Sequence, residues 1–292
     1  MNRSGRLAVL SAVVATAIGC SVAASAPPPD MTIPSPAESD AGSSPSPFPS
    51  RGSPFPSATS LAGAEAPIAA ATWFLEQSSA RFDLRVKLFK PDLPDETTAL
   101  GSGAVDPAGD RGTMSFDLFP EDDRLSFEPF EITWDPDDYW TTTEPDQGEH
   151  VWRHTTRDEA PEMAMIGRVN EEPLALIRFV AEADPATIEP LPAAAVNGVA
   201  AERWLVPVPF ETTRAAFVPP DTYLGFESIF GLEALPLEVW LIDGQIARVG
   251  YVLEREKAPY GGPDRNETWY DWSDVGAPIE LAIPPEGTID EI

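Results

Sequence analysis

The chain has 292 residues, 42% of them hydrophobic and 9% aromatic, which is enough to bury a sizeable core and excludes wholesale disorder. Its formal charge of −29 at pH 7 excludes phosphate-backbone recognition, so no nucleic-acid partner is expected. A single Cys excludes a disulfide framework and a thiolate metal cluster, and two His leave little for zinc or for imidazole acid–base chemistry.

Arg3 and Arg6 precede an apolar run over residues 7–18, broken only by Ser11 and Thr16. A membrane-crossing helix needs about 20 such residues, so the run is too short to span and fits a secretory signal peptide. Ala17-Ile18-Gly19-Cys20 follows and resembles the bacterial lipobox, with Ala17 standing where Leu is usual. The resemblance implies a lipoprotein signal peptide over residues 1–19. It also implies that Cys20 becomes the first residue, with diacylglycerol on its sulfur and often palmitate or another acyl group on its amine. Each buried methylene contributes about 0.8 kcal/mol, so two or three chains hold a protein firmly on the extracytoplasmic face of a bacterial cell membrane.

Residues 20–66 read as the lipidated Cys and a disordered tether. The stretch is rich in Pro and Ser, as in Ser43-Ser44-Pro45-Ser46-Pro47, and has no Trp or Tyr. Such a composition favours extended polyproline II over a packed core. As a loose coil it spans roughly 35–40 Å, and fully extended roughly 140 Å. Residues 67–292 hold nearly all of the acidity, so an anionic membrane surface repels them. A lipid anchor with a spacer resolves that conflict.

Residues 68–79 predict a short amphipathic helix with Ile68, Thr72 and Leu75 on its apolar face. Phe82, Leu84, Val86 and Leu88 alternate with Asp83, Arg85 and Lys87, the period of a strand with one buried face. Residues 101–105 and 113–119 flank Asp106-Pro107-Ala108-Gly109-Asp110 and predict a hairpin. Residues 125–134, interrupted by Pro129, predict an edge or bulged strand. Short strands over 139–143 and 149–155 complete an antiparallel meander.

From Pro173 the pattern changes. Residues 174–181 are apolar except for Arg178 and predict a helix buried on more than one side. Strands are expected over 188–191 and 201–208, with a turn at Asn197-Gly198. A further helix is expected over 223–232. Residues 237–242 and 246–253 predict a hairpin turning at Asp243-Gly244. Strands over 267–273 and 279–283 close the domain. The fold class is α+β: a curved antiparallel sheet, an unclosed half-barrel, with two or three helices covering its concave face.

Val239-Trp240-Leu241-Ile242-Asp243-Gly244, ending in Arg248, resembles a hairpin motif of the LolA-like and LppX/LprG-type bacterial lipoproteins. Trp272-Ser273-Asp274-Val275-Gly276-Ala277-Pro278-Ile279 resembles their closing strand. Pro173-Leu174-Ala175-Leu176-Ile177 resembles their central helix, and Asn197-Gly198-Val199 through Trp204 one of their strands. The likeness spreads over residues 68–285. The turn is one residue shorter than the pattern, and Pro207, Pro209, Pro219 and Pro220 depart from it. The resemblance implies a lipid or glycolipid ligand held by its acyl chains between sheet and helices. Candidate walls are Leu84, Val86, Phe116 and Leu118 from strands, with Leu174, Ile177 and Phe230 from helices. The same residues would equally fill a closed core, giving a structural or regulatory envelope protein that acts through protein contacts.

No motif supports catalysis, and no cofactor is expected. His150, Trp152 and His154 alternate on one strand without a third ligand, a poor metal set. Glu121-Asp122-Asp123 and Asp135-Pro136-Asp137-Asp138 read as acidic turns without the spacing of a calcium loop. Gly225-Phe226-Glu227-Ser228 is not a nucleophile elbow. Asn266-Glu267-Thr268 fits an N-glycosylation sequon. Nothing in the pattern specifies an oligomeric state.

Overall fold

Alternation of apolar and polar residues produces one sheet. The computed structural model describes residues 63–89, 96–118, 130–143, 151–156, 173–209, 211–212, 233–255, 264–281 and 289–291. All of them fall in the second of the two units, Met1–Ser50 and Arg51–Ile292, into which the chain divides. The signal segment, Cys20, the expected tether up to residue 62, the helix expected over 223–232 and the wall residue Phe230 lie outside the described residues; the last two residues expected in the tether, Glu65 and Ala66, are instead already helical.

Helix α1 (Glu65–Leu75) precedes β1 (Ala80–Phe89), β2 (Glu96–Asp106), β3 (Arg111–Leu118), β4 (Phe130–Trp134), β5 (Asp138–Thr143) and β6 (Val151–Thr156). Helix α2 (Pro173–Ala181) and a short 3-10 turn (Pro185–Thr187) then lead to β7 (Glu189–Val196) and β8 (Val199–Pro209). The order ends with β9 (Ala234–Ile242), β10 (Gln245–Arg255), β11 (Asp264–Ser273) and β12 (Ile289–Glu291). The strands lie in the order β12-β6-β5-β4-β3-β2-β1-β11-β10-β9-β8-β7. Neighbours are antiparallel throughout, except that β12 runs parallel to β6. The two edges do not pair, so the sheet is unclosed. Twisted open sheets beyond about 10 strands curl, and the register shifts at Val86/Lys87, Leu191/Ala194 and Ile246/Arg248 add local bends.

The β7–β8 and β9–β10 hairpins close through two-residue turns in which both residues have positive φ. Asn197 and Gly198 sit at 50° and 81°, Asp243 and Gly244 at 52° and 79°. This is the turn whose twist matches paired strands, and Asn, Asp and Gly tolerate it best. At the β2–β3 turn, Asp106 accepts from Gly109 N at 3.0 Å and from Arg111 Nε at 2.9 Å.

Helix α1 forms, but its buried face is not the expected one. Pro67, Ala70, Ala71 and Phe74 are buried, spaced i, i+3, i+4, i+7, whereas Thr72 is exposed and Ile68 and Leu75 are half-buried. The small alanines let α1 approach α2 closely, and Phe74 rather than a branched aliphatic reaches the sheet. Two α-helices, α1 and α2, are described along their length, and Glu211 and Thr212 are also helical. Helices α1 and α2 pack on each other, α1 also on β9 and β10, and α2 on β8 and β10.

The strand expected over 279–283 is absent in its described part, 279–281. A turn at Asp274–Gly276 ends β11, where Gly276 N donates to Ser79 O at 2.7 Å, and Pro278 then lacks a ladder donor. The last strand is instead β12.

Candidate functional site

The helix-bearing face of the sheet is marked by Phe74, whose ring meets Trp272 of β11 edge-on at 4.7 Å. Trp272 in turn lies 5.5 Å from Phe82 of β1. Side chains of one strand alternate between faces, and register partners on adjacent strands share a face. The whole inner surface follows from those two rules.

One transverse row runs Trp204, Val239, Val249, Tyr270, Leu84, Gly101 and Phe116, each the register partner of the next from β8 to β3. The next row runs Val206, Leu237, Tyr251, Thr268, Val86 and Ala99, with Leu118 continuing it on β3. All the described side chains in both rows are buried except Gly101, which is half-buried. The side chain of Leu118 lies outside the described set.

Three glycines on this face are covered by rings. A Cβ on Gly101 would meet Phe116 at 3.2 Å, one on Gly103 would meet Phe82 at 2.6 Å, and one on Gly112 would meet Trp134 at 2.4 Å. Flat rings thus fill the places where side chains are missing, and the inner side of β2 and β3 becomes aromatic.

The expected wall residues are distributed as follows. Leu84 (1% exposed), Val86 (8%) and Phe116 (7%) share the inner face. Leu174 (1%) and Ile177 (0%) lie on α2, the helix packed on β8 and β10. Sequence reasoning missed Trp204, Tyr251, Thr268, Tyr270 and Trp272, which make the middle of the face. The alternation of Thr268, Tyr270 and Trp272 within β11 was the available signal. Among the described residues, several buried polar atoms of this face have no hydrogen-bond partner, including Trp204 Nε1 and Trp272 Nε1.

Polar pairing ties the helices to one end of the sheet. Arg178 of α2 reaches Asp110 in the β2–β3 turn, and Ala108 N donates to Gln77 O just after α1 at 3.0 Å. Tight turns β2–β3, β4–β5, β7–β8 and β9–β10 all lie at this end. The opposite face of the sheet carries a different assembly. Arg203 stacks over Trp240 at 4.5 Å, and Arg248 lies 5.4 Å from Trp240 and 5.7 Å from Trp269. Glu238 pairs with Arg203 at 2.5 Å and Asp271 with Arg248, so both cations are neutralised.

Of the remaining sequence signals, Glu121-Asp122-Asp123, His150 and Gly225-Phe226-Glu227-Ser228 lie outside the described residues, and the others resolve into structure. Asp135 Oδ1 accepts from Asp137 N at 3.0 Å and Asp138 N at 2.8 Å, making a self-satisfied turn. His154 Nε2 lies 2.7 Å from Asp138 Oδ1 and its ring faces Trp140 at 5.4 Å. Among the described residues no group of three His, Cys, Asp or Glu could hold a metal ion, and no described helix is long and apolar enough to cross a membrane.

No protein-family model matches the chain, and no curated protein matches it. Among solved structures it is similar to the lipoprotein LppX of Mycobacterium tuberculosis, with 11% identity over 75% of this chain and 98% of that one and a TM-score of 0.43. It is also similar to LprF from Mycobacterium bovis, with 12% identity over 76% and 96% and a TM-score of 0.44. A LolA superfamily protein from Nitrosomonas europaea matches at 11% identity over 77% and 96%, with a TM-score of 0.27.

Proposed function

We propose that the chain is a bacterial lipoprotein, anchored through Cys20 and tethered by the residues that follow it up to helix α1, whose domain from Glu65 onward binds an acyl-chain-containing ligand between sheet and helices. The observation that carries this reading is the transverse apolar row from Trp204 to Phe116. It crosses seven strands, and at about 4.8 Å per strand it is roughly 29 Å long. A bilayer's hydrocarbon core is about 30 Å thick, so the row matches two acyl chains end to end.

The face is packed in this state, so loading must displace side chains. Each buried methylene of the ligand contributes about 0.8 kcal/mol, hence about 13 kcal/mol for a sixteen-carbon chain. Exposing two or three core side chains costs about 1.5–3 kcal/mol each. The ligand term is larger, and a carrier that repacks around its cargo is energetically feasible.

The near-complete burial of Leu84, Leu174 and Ile177 also supports a second reading. In it the core is permanently filled, and the domain acts in the envelope through protein contacts. Mass spectrometry of lipids extracted from the protein purified without its anchor separates the two. Co-purifying acyl lipid and saturable binding of a fluorescent fatty acid are expected. If neither is seen, the carrier reading fails and the closed-core reading stands. Labelled palmitate incorporation that persists in Cys20→Ala would refute the anchor.

A further inference from the structure

The sequon Asn266-Glu267-Thr268 lies on β11, and the structure gives it a different meaning. Thr268 is 0% exposed, flanked in register by Tyr251 and Val86. Asn266 is flanked by Leu253, itself 0% exposed. Both point to the inner face, since Thr268, Tyr270 and Trp272 alternate with Glu267, Trp269 and Asp271.

Among the described residues, Thr268 Oγ1 and Asn266 Oδ1 are buried without a hydrogen-bond partner. An unsatisfied buried hydroxyl is disfavoured, and valine has nearly the same shape without that cost. A polar pair on this face, with Thr268 fully buried and Asn266 half-buried, therefore calls for a partner beyond the described residues. Thr268 can donate and Asn266 Oδ1 can accept. Residues two apart on a strand stand roughly 6.6–6.8 Å apart, room for one oxygen between their two polar groups.

We infer that Thr268 and Asn266 form a polar notch that receives an uncharged hydroxyl of the acyl ligand, accepting its proton at Asn266 and donating to its oxygen from Thr268. This rests on the acyl-binding reading above. A hydroxylated chain is selected over a plain hydrocarbon because only the former satisfies both groups.

The test is displacement of the uncharged reporter N-phenyl-1-naphthylamine from the exported Cys20→Ala chain by hexadecan-1-ol and by hexadecane. The native residues should favour the alcohol by about tenfold or more, the effect of one well-placed buried hydrogen bond. Thr268→Val should erase that preference, and Thr268→Ser should retain it. The ligand-free thermal midpoint of Thr268→Val should be equal or higher. A lowered midpoint would mean that the hydroxyl has an internal partner and would overturn the proposal. Equal affinity of the native residues for alcohol and alkane overturns the notch alone. Binding of neither overturns the acyl-binding reading and the notch together.

Discussion

Replacing Gly103 by Ala places one methyl group where the inner face has no room for it. The backbone there is not in the left-handed region, so Ala is conformationally allowed and stiffens the unfolded chain, a gain of about 0.4–1 kcal/mol. Against this, the new Cβ would stand 2.2 Å from Thr113 O and 2.6 Å from Phe82 Cζ. Carbon and oxygen need about 1 Å more than the first distance allows. Thr113 O belongs to the β2–β3 ladder, and Phe82 is 2% exposed and held against Tyr270 and Trp272. Neither can move freely, so overpacking costs about 1–3 kcal/mol and outweighs the gain. Gly101→Ala is the internal comparison, because its nearest contacts are 3.2 Å and a small shift relieves them. In urea denaturation Gly103→Ala should lower the midpoint with an unchanged slope, and lower Tm by about 2–4 °C per kcal/mol. If Gly103→Ala were as stable as the native chain, or more stable than Gly101→Ala, the account of rings seated over glycines would be refuted.

Asp243→Val should destabilise by about 1–2 kcal/mol, because a β-branched residue resists the φ of 52° that the β9–β10 turn requires. Asp243→Asn should stay within about 0.5 kcal/mol; thermal melts of both check the turn type. Ile177→Ala should cost about 2–5 kcal/mol at a fully buried helix position, whereas Thr72→Ala on the exposed face of α1 should change Tm little.

The strands were legible because one face of each is buried, and the period of two survives in residues such as Phe82, Leu84 and Val86. Turn chemistry was equally readable at Asn197-Gly198 and Asp243-Gly244, where φ itself restricts the residue types. The buried face of α1 was not, because Ala70 and Ala71 carry little hydrophobic signal and are chosen for smallness rather than greasiness. Residues 279–281 read as strand by composition, but a strand also needs a partner, and the hydrogen bond from Gly276 to Ser79 directs the chain away. The burial of Leu84, Val86, Phe116, Leu174 and Ile177 was legible from alternation in the strands and from the apolar run after Pro173. Thr268 was not, since a sequon and a buried hydroxyl look alike until the neighbouring strands are known.

The pairing of β1 with β11 has a kinetic consequence. Ala80–Phe89 and Asp264–Ser273 are far apart in the chain, yet they are adjacent at the middle of the sheet. Two local meanders, β1 to β6 and β7 to β11, can zip early from neighbouring hairpins, but their junction must await synthesis of the late strand and the closure of a very long loop. Until then each meander presents a bare, apolar edge to its surroundings, and the nascent chain is at its most aggregation-prone.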